Sequence, residues 1–357
     1  MAQRINSYEL LEAAVLGGAL LGGGGGGLMQ DGLALGNQAL EHGGPLLIDP
    51  EELPPDSILL TVSAVGAPSA PNRFVSPQHY VRAVEYFSRV FEMRVDGLIA
   101  NENGGLATIN GWLQSAALGI PVVDAPCNGR AHPTGLMGSM GLDAIPEYIS
   151  RQVAIGGAST RGAEIVVAVE GGVHSTSTLI RAAAVTAGGL VAVARNPVTV
   201  QYTIENGAPK AIAQALQLGR LLQVDASPSS RVEACAEQLR GRIIDRGIVT
   251  EKNLANRDGF DVGSLRIDKY ELTFWNEYIT LEYLHERIGT FPDLIATLSA
   301  KTGNPLTTAE IRPGDEVFLL WAPRDSLILG QGMHRPGLFQ AVEEAIAKPV
   351  IPYVFPQ

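Results

Sequence analysis

A short segment of the chain, Asp124-Ala-Pro-Cys127-Asn-Gly-Arg130-Ala-His132, carries a carboxylate, a thiol, a guanidinium and an imidazole. Asp124, Cys127 and His132 are residue types that bind zinc, and a bound divalent metal such as zinc would supply hydroxide at neutral pH. Their spacing matches no zinc-finger pattern. A buried thiol, with Asp124 and His132 as hydrogen-bonding loop residues, therefore explains the segment equally well.

Cys127 has a second interpretation, as the nucleophile of a covalent reaction. Its thiolate would be favoured by the Arg130 guanidinium or by a nearby imidazolium. Arg130 could also stabilise negative charge that develops on a substrate oxygen. Because a lone cysteine in a loop is usually inert, an unreactive thiol is retained as the alternative.

The stretch Asn101-Glu102-Asn103-Gly104-Gly105 follows a short apolar run and contributes another carboxylate. Glu102 could ligate a metal or act as a general base, and Gly104 and Gly105 would let a substrate approach the backbone. The alternative is that Glu102 caps the following helix, where an acidic residue is favourable. Its position at a strand end favours the functional interpretation.

His174 and Arg195 lie further along the chain. His174 follows Gly171-Gly172 and precedes four hydroxyl residues, an arrangement suited to an anion held by backbone N–H groups, with His174 as ligand or acid–base group. Helix capping with a solvent-facing imidazole explains it equally well. Arg195 would pair with a substrate carboxylate or with an internal acid.

The candidates form three overlapping sets around an expected small-molecule substrate. The predicted catalytic residues are Glu102, Asp124, Cys127 and His132. The predicted substrate-binding residues are Gly104, Gly105, Arg130, His174 and Arg195. The predicted ligands of a divalent metal are Glu102, Asp124, His132 and His174.

The elements that must position these residues alternate between strands and helices. Apolar runs predict strands at residues 57–63, 97–100, 120–123, 164–169 and 190–193, and helical periodicity predicts helices at 33–42, 80–93, 106–118 and 179–187. This alternation predicts an α/β domain with a mostly parallel sheet over residues 1–240. Polar clusters follow several of the strands, so a ligand is expected at the strand ends.

The pattern changes after residue 240. Short runs with period-two alternation, separated by turn residues, predict a β-rich domain over residues 241–335. The remaining segment, residues 336–357, is expected to return to the first domain.

Six consecutive glycines at residues 22–27 suggest a nucleotide phosphate loop and hence a nucleotide-binding α/β protein. The run lacks a Gly-Lys-Ser/Thr ending and follows a predicted helix rather than a strand, so it fails the context that such loops require. Close packing beneath the crevice is the preferred interpretation.

Composition excludes several classes of function. The 357 residues carry a net charge of −11 and no basic stripe, so nucleic acid and membrane surfaces are not expected partners. Only two cysteines occur, which fits a reducing cytoplasm. The apolar run at residues 13–28 is rich in glycine and preceded by Glu9 and Glu12, unlike a signal peptide. A chain of this kind is expected to form a homo-oligomer.

Five motifs together resemble the DUF917 family, also named for S-methyl thiohydantoin desulfurase and associated with hydantoin use. They are the glycine run, the segment after Asn101, the segment after Val123, residues 188–197, and Phe291-Pro-Asp-Leu-Ile with Thr302-Gly-Asn-Pro. The resemblance implies an α/β domain joined to a β-rich domain, and chemistry on a five-membered cyclic amide. This chain has Pro126 and Thr134 where the family usually has acidic residues, and Leu28-Met29 where it usually has Asp-Pro.

The resemblance and the candidate residues lead to one main hypothesis. The protein is expected to be a hydrolase of a hydantoin-like or S-methyl thiohydantoin-like ring, using an activated water or a thiolate. The changes at Pro126 and Thr134 motivate the alternative of a noncatalytic ring-binding or regulatory partner in the same kind of pathway.

Overall fold

The chain folds around two sheets, one from its N-terminal part and one from its C-terminal part. The computed structural model describes residues 2–67, 69–158 and 164–356. Within those ranges each sheet has eight strands. None of the helices in the same ranges has the length and hydropathy needed to cross a bilayer.

The first sheet is mixed, with the strand order β1-β2-β5-β4-β3-β8-β6-β7. Its strands are β1 (Gln3–Arg4), β2 (Leu46–Ile48), β3 (Ile58–Gly66), β4 (Gly97–Ala100), β5 (Val122–Val123), β6 (Ser150–Gly156), β7 (Ile165–Gly171) and β8 (Leu190–Thr199). Strands β2, β5, β4 and β3 pair in parallel, whereas β1, β8, β6 and β7 join by antiparallel pairing. The predicted α/β class is confirmed, and the parallel strands form the central part of the sheet that carries the candidate residues.

Eight helices precede the second sheet along the described part of the chain. They are α1 (Tyr8–Gly22), α2 (Met29–Glu41), α3 (Pro77–Val90), α4 (Trp112–Leu118), α5 (Val173–Thr186), α6 (Val200–Asn206), α7 (Ala211–Gln223) and α8 (Pro228–Gln238). Helix α1 is almost entirely buried, because one side contributes to the core with α7 and α8 and the other to the core with α2 and α4.

Two helix predictions are corrected by the structure. The helix expected at residues 106–118 is divided into a 3-10 turn at Ala107–Ile109 and α4, because Gly111 adopts a left-handed φ of 95° between them. Helix α5 begins at Val173 rather than at residue 179. His174 therefore lies in its first turn, not in a loop.

The second sheet is antiparallel throughout and confirms the predicted β-rich domain. Its order is β13-β12-β11-β10-β9-β16-β14-β15. The strands are β9 (Arg242–Arg257), β10 (Phe260–Ile267), β11 (Tyr270–Trp275), β12 (Glu277–Tyr283), β13 (Glu286–Thr290), β14 (Leu294–Ser299), β15 (Pro305–Leu306) and β16 (Glu316–Ala322).

The C-terminal segment contains α9 (Gln340–Ile346) and α10 (Ile351–Val354). Its buried side chains Val342 and Val354 share a core cluster with Trp275 and Phe291 of the second domain and with Met137 of the first. The segment thus packs mainly against the second sheet and reaches the first domain at one point.

The glycine run connects the two domains at the base of a crevice. Tyr278 donates its backbone N–H to Gly23 O at 2.8 Å, and Thr308 donates to Gly24 O at 2.8 Å. Gly26 has a left-handed φ of 74°, and a Cβ atom on it would lie 2.5 Å from the Cα of Gly104. The run is therefore packed against protein backbone and is not shaped as a phosphate loop.

Candidate active site

A narrow cavity lies between the two domains, close to the carboxyl end of β4. Its volume is 80 Å³. The first domain lines it with the glycine run, the residues after β4 and the segment 132–135, and the second domain contributes Asn276 and Glu277. The titratable and polar side chains in the lining include Glu102, Glu277, His132, Asn101, Arg181 and Arg195, and the paired Asp31 and Arg73.

Glu102 and His132 form a close pair on one wall of the cavity. Oε2 of Glu102 lies 3.2 Å from Nε2 of His132, and it also accepts the backbone N–H of His132 at 3.2 Å. The Glu102 side chain is 15% exposed, whereas that of His132 is 1% exposed. The Glu102 carboxylate thus faces the cavity, and the buried imidazole of His132 packs against it.

A chain of hydrogen bonds determines the tautomer of His132. Arg195 donates from Nη2 to Oδ1 of Asn101 at 2.8 Å, and a guanidinium can only donate. Asn101 therefore directs its Nδ2 group toward Nε2 of His132, at 3.0 Å. The other ring nitrogen, Nδ1, lies 2.9 Å from the carbonyl oxygen of Thr134, which can only accept. The proton consequently resides on Nδ1, and Nε2 presents a lone pair.

The pKa values of the pair are shifted in opposite directions. Burial raises the pKa of Glu102 to about 7. Burial, together with the positive charge of Arg195, lowers the pKa of His132 to about 3. Near neutral pH the imidazole is therefore neutral, and Glu102 exchanges a proton readily. A protonated Glu102 can act as an acid, and an ionised Glu102 is available as a base.

Glu277 places a second carboxyl group in the cavity from the start of β12. It is 2% exposed, and its Oε2 has no hydrogen-bond partner among the described residues. Burial, and then the neighbouring Glu102, raise its pKa well above the usual value. A Cβ atom on Gly25 would lie 2.1 Å from Glu277 Oε1, so a glycine is needed where the run passes this carboxyl. The raised pKa favours the protonated form of Glu277, which can donate a proton.

Arg181 and Arg195 supply positive charge at the mouth of the cavity. Arg181 donates from Nη1 to Gly259 O at 3.0 Å, and its guanidinium lies 4.0 Å from the centre of the Phe260 ring. Burial lowers the pKa of Arg181 to about 10 and also lowers that of Arg195. Arg181 remains cationic at neutral pH, and the guanidinium of Arg195 does so as well.

Asp124 lies outside the cavity lining, contrary to its predicted role as catalytic residue and metal ligand. Its Oδ1 accepts the backbone N–H of Ile212 at 2.7 Å, and its Oδ2 accepts that of Ala213 at 3.0 Å. These are among the free N–H groups at the start of α7, which a carboxylate satisfies well. Asp124 therefore caps the N-terminus of α7.

Cys127 is a core residue and does not line the cavity. It is 1% exposed, and its Sγ lies 3.4 Å from Oγ1 of Thr61. Burial raises the pKa of the thiol to about 11. The neutral thiol in this packed position does not support the predicted nucleophile.

Arg130 holds the domains together instead of facing a substrate. It is fully buried, its guanidinium lies 4.6 Å from the centre of the Phe291 ring, and Nη1 donates to Pro292 O at 3.1 Å. Its predicted part in stabilising substrate charge is not supported by this position, because these contacts turn it toward the second domain and away from the cavity lining.

Of the remaining candidates, Gly104, Gly105 and His174 do not line the inner cavity. Gly104 packs against Gly26, and a Cβ atom on Gly105 would lie 2.7 Å from Gly27 O, so both glycines serve close backbone packing. His174 is exposed in the first turn of α5 and lines a wider outer cleft. Arg195 is the predicted substrate-binding residue that reaches the inner cavity.

The predicted metal ligands do not assemble. Across residues 2–67, 69–158 and 164–356, no three His, Cys, Asp or Glu side chains converge in a metal-binding arrangement. Of the four predicted ligands, Glu102 and His132 are adjacent, Asp124 caps α7, and His174 lies on the surface of α5. The residues present therefore do not fit the predicted divalent-metal site, and no chemical step is assigned to a metal.

The predicted site did not include several residues that the structure places at the cavity, among them Asn101, Arg181 and Glu277. Asn101 could have been included, since it precedes Glu102 at the same strand end. No local sequence pattern marks Glu277 or Arg181 as a site residue. Both join the site through packing between the domains.

Comparison with known proteins gives two kinds of likeness. A model of the S-Me-THD-like N-terminal domain matches residues 9–168, and a model of the S-Me-THD-like C-terminal domain matches residues 172–332. The division between them precedes α5, although β8 pairs with β3 in the first sheet. No protein of curated function gives a significant match.

A solved structure shares the fold. The crystal structure of a protein from Chromobacterium violaceum superposes with a TM-score of 0.68 and covers 96% of each chain at 18% sequence identity. At this identity the likeness concerns the architecture alone.

Proposed function

The chain belongs to the S-Me-THD-like family, and we propose that it is a hydrolase acting on an S-methyl thiohydantoin-like or hydantoin-like ring. The observation that carries this proposal is the Glu102–His132 pair in a cavity closed by the second domain. A neutral imidazole beside a carboxyl group with a pKa near 7 is suited to proton transfer at neutral pH.

In the first step, Glu102 of this pair would act as a base on water. Ionised Glu102 takes one proton from a water molecule while the oxygen adds to the ring carbon that bears the S-methyl group. Protonated Glu277 gives its proton to the adjacent ring nitrogen, which would otherwise gain negative charge. Two carboxyl groups in different environments thereby divide the roles of base and acid.

Breakdown of the adduct returns Glu102 and Glu277 to their starting protonation states. The carbon–sulfur bond breaks, Glu102 returns its proton to the departing sulfur, and the added hydroxyl loses its proton to Glu277. The products are methanethiol and the ring with a new carbonyl group. With a hydantoin, the same water addition at a ring carbonyl would break the carbon–nitrogen bond, and the departing nitrogen would take the proton.

His132 and its partners orient the base in this scheme. The Arg195–Asn101–His132–Thr134 chain holds Nε2 as an acceptor beside Glu102. The imidazole is thereby kept neutral, so it does not hold Glu102 ionised, and Glu102 can accept and release the water proton. Asn101 and Arg195 are accordingly positioning residues.

The test is turnover by the purified full-length chain. S-methyl thiohydantoins and hydantoins would be supplied as a panel, with methanethiol measured by a thiol reagent and ring opening by mass spectrometry. Glu102→Gln is expected to lower kcat by about 100-fold or more, the usual range for loss of a general base. Glu147→Gln, at an exposed position, is the matched control and should keep full activity.

Two results would contradict the proposal. Full turnover by Glu102→Gln would remove the assigned base. Absence of turnover across the panel, with measurable ring binding, would instead favour the noncatalytic ring-binding alternative.

A further inference from the structure

A wider cleft adjoins the inner cavity. The two spaces share five lining residues, Val65, Thr134, Gly135, Arg181 and Arg195, and so form one continuous recess. The outer cleft has a volume of 670 Å³, against 80 Å³ for the inner cavity. Small-molecule sites usually occupy about 300–1,000 Å³, so the outer cleft has room for more than a ring.

Two buried donor groups in this cleft lack partners. Arg195 is 3% exposed, and its Nε has no hydrogen-bond partner among the described residues, although Nη2 is bound to Asn101. Ser177 Oγ on α5 is likewise buried without a partner in that part of the chain. Burying such groups unpaired is unfavourable, so an acceptor on a ligand would be stabilised here.

The Arg195 guanidinium and the Ser177 hydroxyl both lie beside Gly135. A Cβ atom on Gly135 would lie 3.2 Å from Arg195 Nη1 and 3.3 Å from Ser177 Oγ. A side chain at position 135 would therefore press against both groups, and the glycine avoids this contact. An arginine and a hydroxyl facing one space suit a carboxylate, which accepts several hydrogen bonds.

The charges around the cleft favour an anion as well. The cationic side chains Arg181 and Arg195 line it, and the acidic side chain in its lining is the exposed Asp258. The nearby acids Glu102 and Glu277 are buried in the inner cavity, where their raised pKa values reduce their negative charge.

We propose that the substrate ring carries a carboxylate-bearing substituent, which lies in the outer cleft and is bound by Arg195 and Ser177. The identity of the ring rests on the proposed function, whereas the carboxylate site rests on the contacts above. The ring would occupy the inner cavity beside Glu102, and the substituent would extend past Gly135.

Binding, measured without turnover, tests this inference. Calorimetry on the full-length chain would compare hydantoin, a hydantoin with a carboxymethyl substituent, and the methyl ester of that acid. The acid is expected to bind about 10- to 100-fold more tightly than the ester, the range for hydrogen bonds to a charged group. Ser177→Ala should weaken binding of the acid about tenfold and leave that of the ester unchanged.

Ser175→Ala is the matched control, because Ser175 is exposed on the same helix and lies outside both cavity linings. Arg181→Gln should also weaken binding of the acid more than binding of the ester. Thermal denaturation would check that this variant is folded. Equal binding of acid and ester would overturn the carboxylate site, even if the ring were hydrolysed. Selective binding of the acid without hydrolysis would support the carboxylate site and count against the proposed function.

Discussion

Nε2 of His132 lies 3.2 Å from Oε2 of Glu102, and the hydrogen bonds around the imidazole leave that nitrogen without a proton. The two groups are therefore not a simple ion pair. One exchangeable proton lies on Glu102 or is released to solvent, while the lone pair of Nε2 accepts the Asn101 amide. A carboxyl group buried beside a neutral imidazole differs from one beside an imidazolium, which would hold it ionised.

The pH dependence of kcat/KM is the first prediction. Glu102 acts as a base only when ionised, so activity should rise with pH through about 7, the raised pKa of Glu102. Glu277 acts as an acid only when protonated, so activity should fall again at higher pH, where Glu277 ionises. Initial rates across the pH range measure both limbs. Activity that falls as pH rises through 7 would contradict the base role of Glu102.

Asn101→Asp should disturb the tautomer of His132. The substitution keeps an oxygen that accepts from Arg195 but replaces the amide donor to Nε2 by a second oxygen, which favours protonated Nε2. An imidazolium would lower the pKa of Glu102, so we expect the rising limb of the pH profile to move to lower pH and kcat to fall about tenfold. Nitrogen-15 NMR of the imidazole reports the tautomer directly. An unchanged tautomer and pH profile would exclude the positioning role of Asn101.

The Cys127 thiol is expected to be unreactive in the folded protein. Burial and a pKa of about 11 keep the thiol neutral, so iodoacetamide should not label it at neutral pH, whereas denatured protein should react at both cysteines. Cys127→Ala should retain turnover and lose about 1 kcal/mol of stability, roughly the transfer free energy of a small buried group. Loss of activity in a folded Cys127→Ala protein would restore the nucleophile hypothesis.

Asp124→Ala should affect stability rather than chemistry. Removing the carboxylate leaves the N–H groups of Ile212 and Ala213 without acceptors, at a cost of about 1–2 kcal/mol. Urea denaturation measures this loss, and Asp56→Ala, at an exposed position, serves as the control. Turnover below the melting temperature should be unchanged. A stable variant without activity would show that Asp124 belongs to the site.

Gly26 and Gly43 offer a matched pair for testing the contact between the glycine run and the loop after β4. Both have left-handed φ values, 74° and 91°, but a Cβ atom would meet the Cα of Gly104 at Gly26 and nothing within 4 Å at Gly43. Gly43→Ala should cost about 1–2 kcal/mol from backbone strain alone. Gly26→Ala should cost clearly more, as judged by the urea midpoint. Equal losses of stability in the two variants would mean that the backbone around Gly104 moves away from the added Cβ atom at no cost in free energy.

The sequence alone determined the features that depend on neighbouring residues. Apolar runs followed by polar clusters predicted the strands that carry Glu102 and His132 toward the cavity, and period-two alternation predicted the second sheet. These patterns are local, because a strand or a helix requires a regular succession of side chains along one stretch of chain. The order of several motifs also identified the family.

Only the tertiary structure decided which candidates meet. Asp124 caps a helix that starts almost ninety residues later, Arg130 binds the second domain, and Cys127 enters the core, although all three share one segment with His132. Glu277 and Arg181 reach the cavity from β12 and α5. The partner that satisfies a buried charge is set by how distant elements pack, and no local pattern in the chain records that packing.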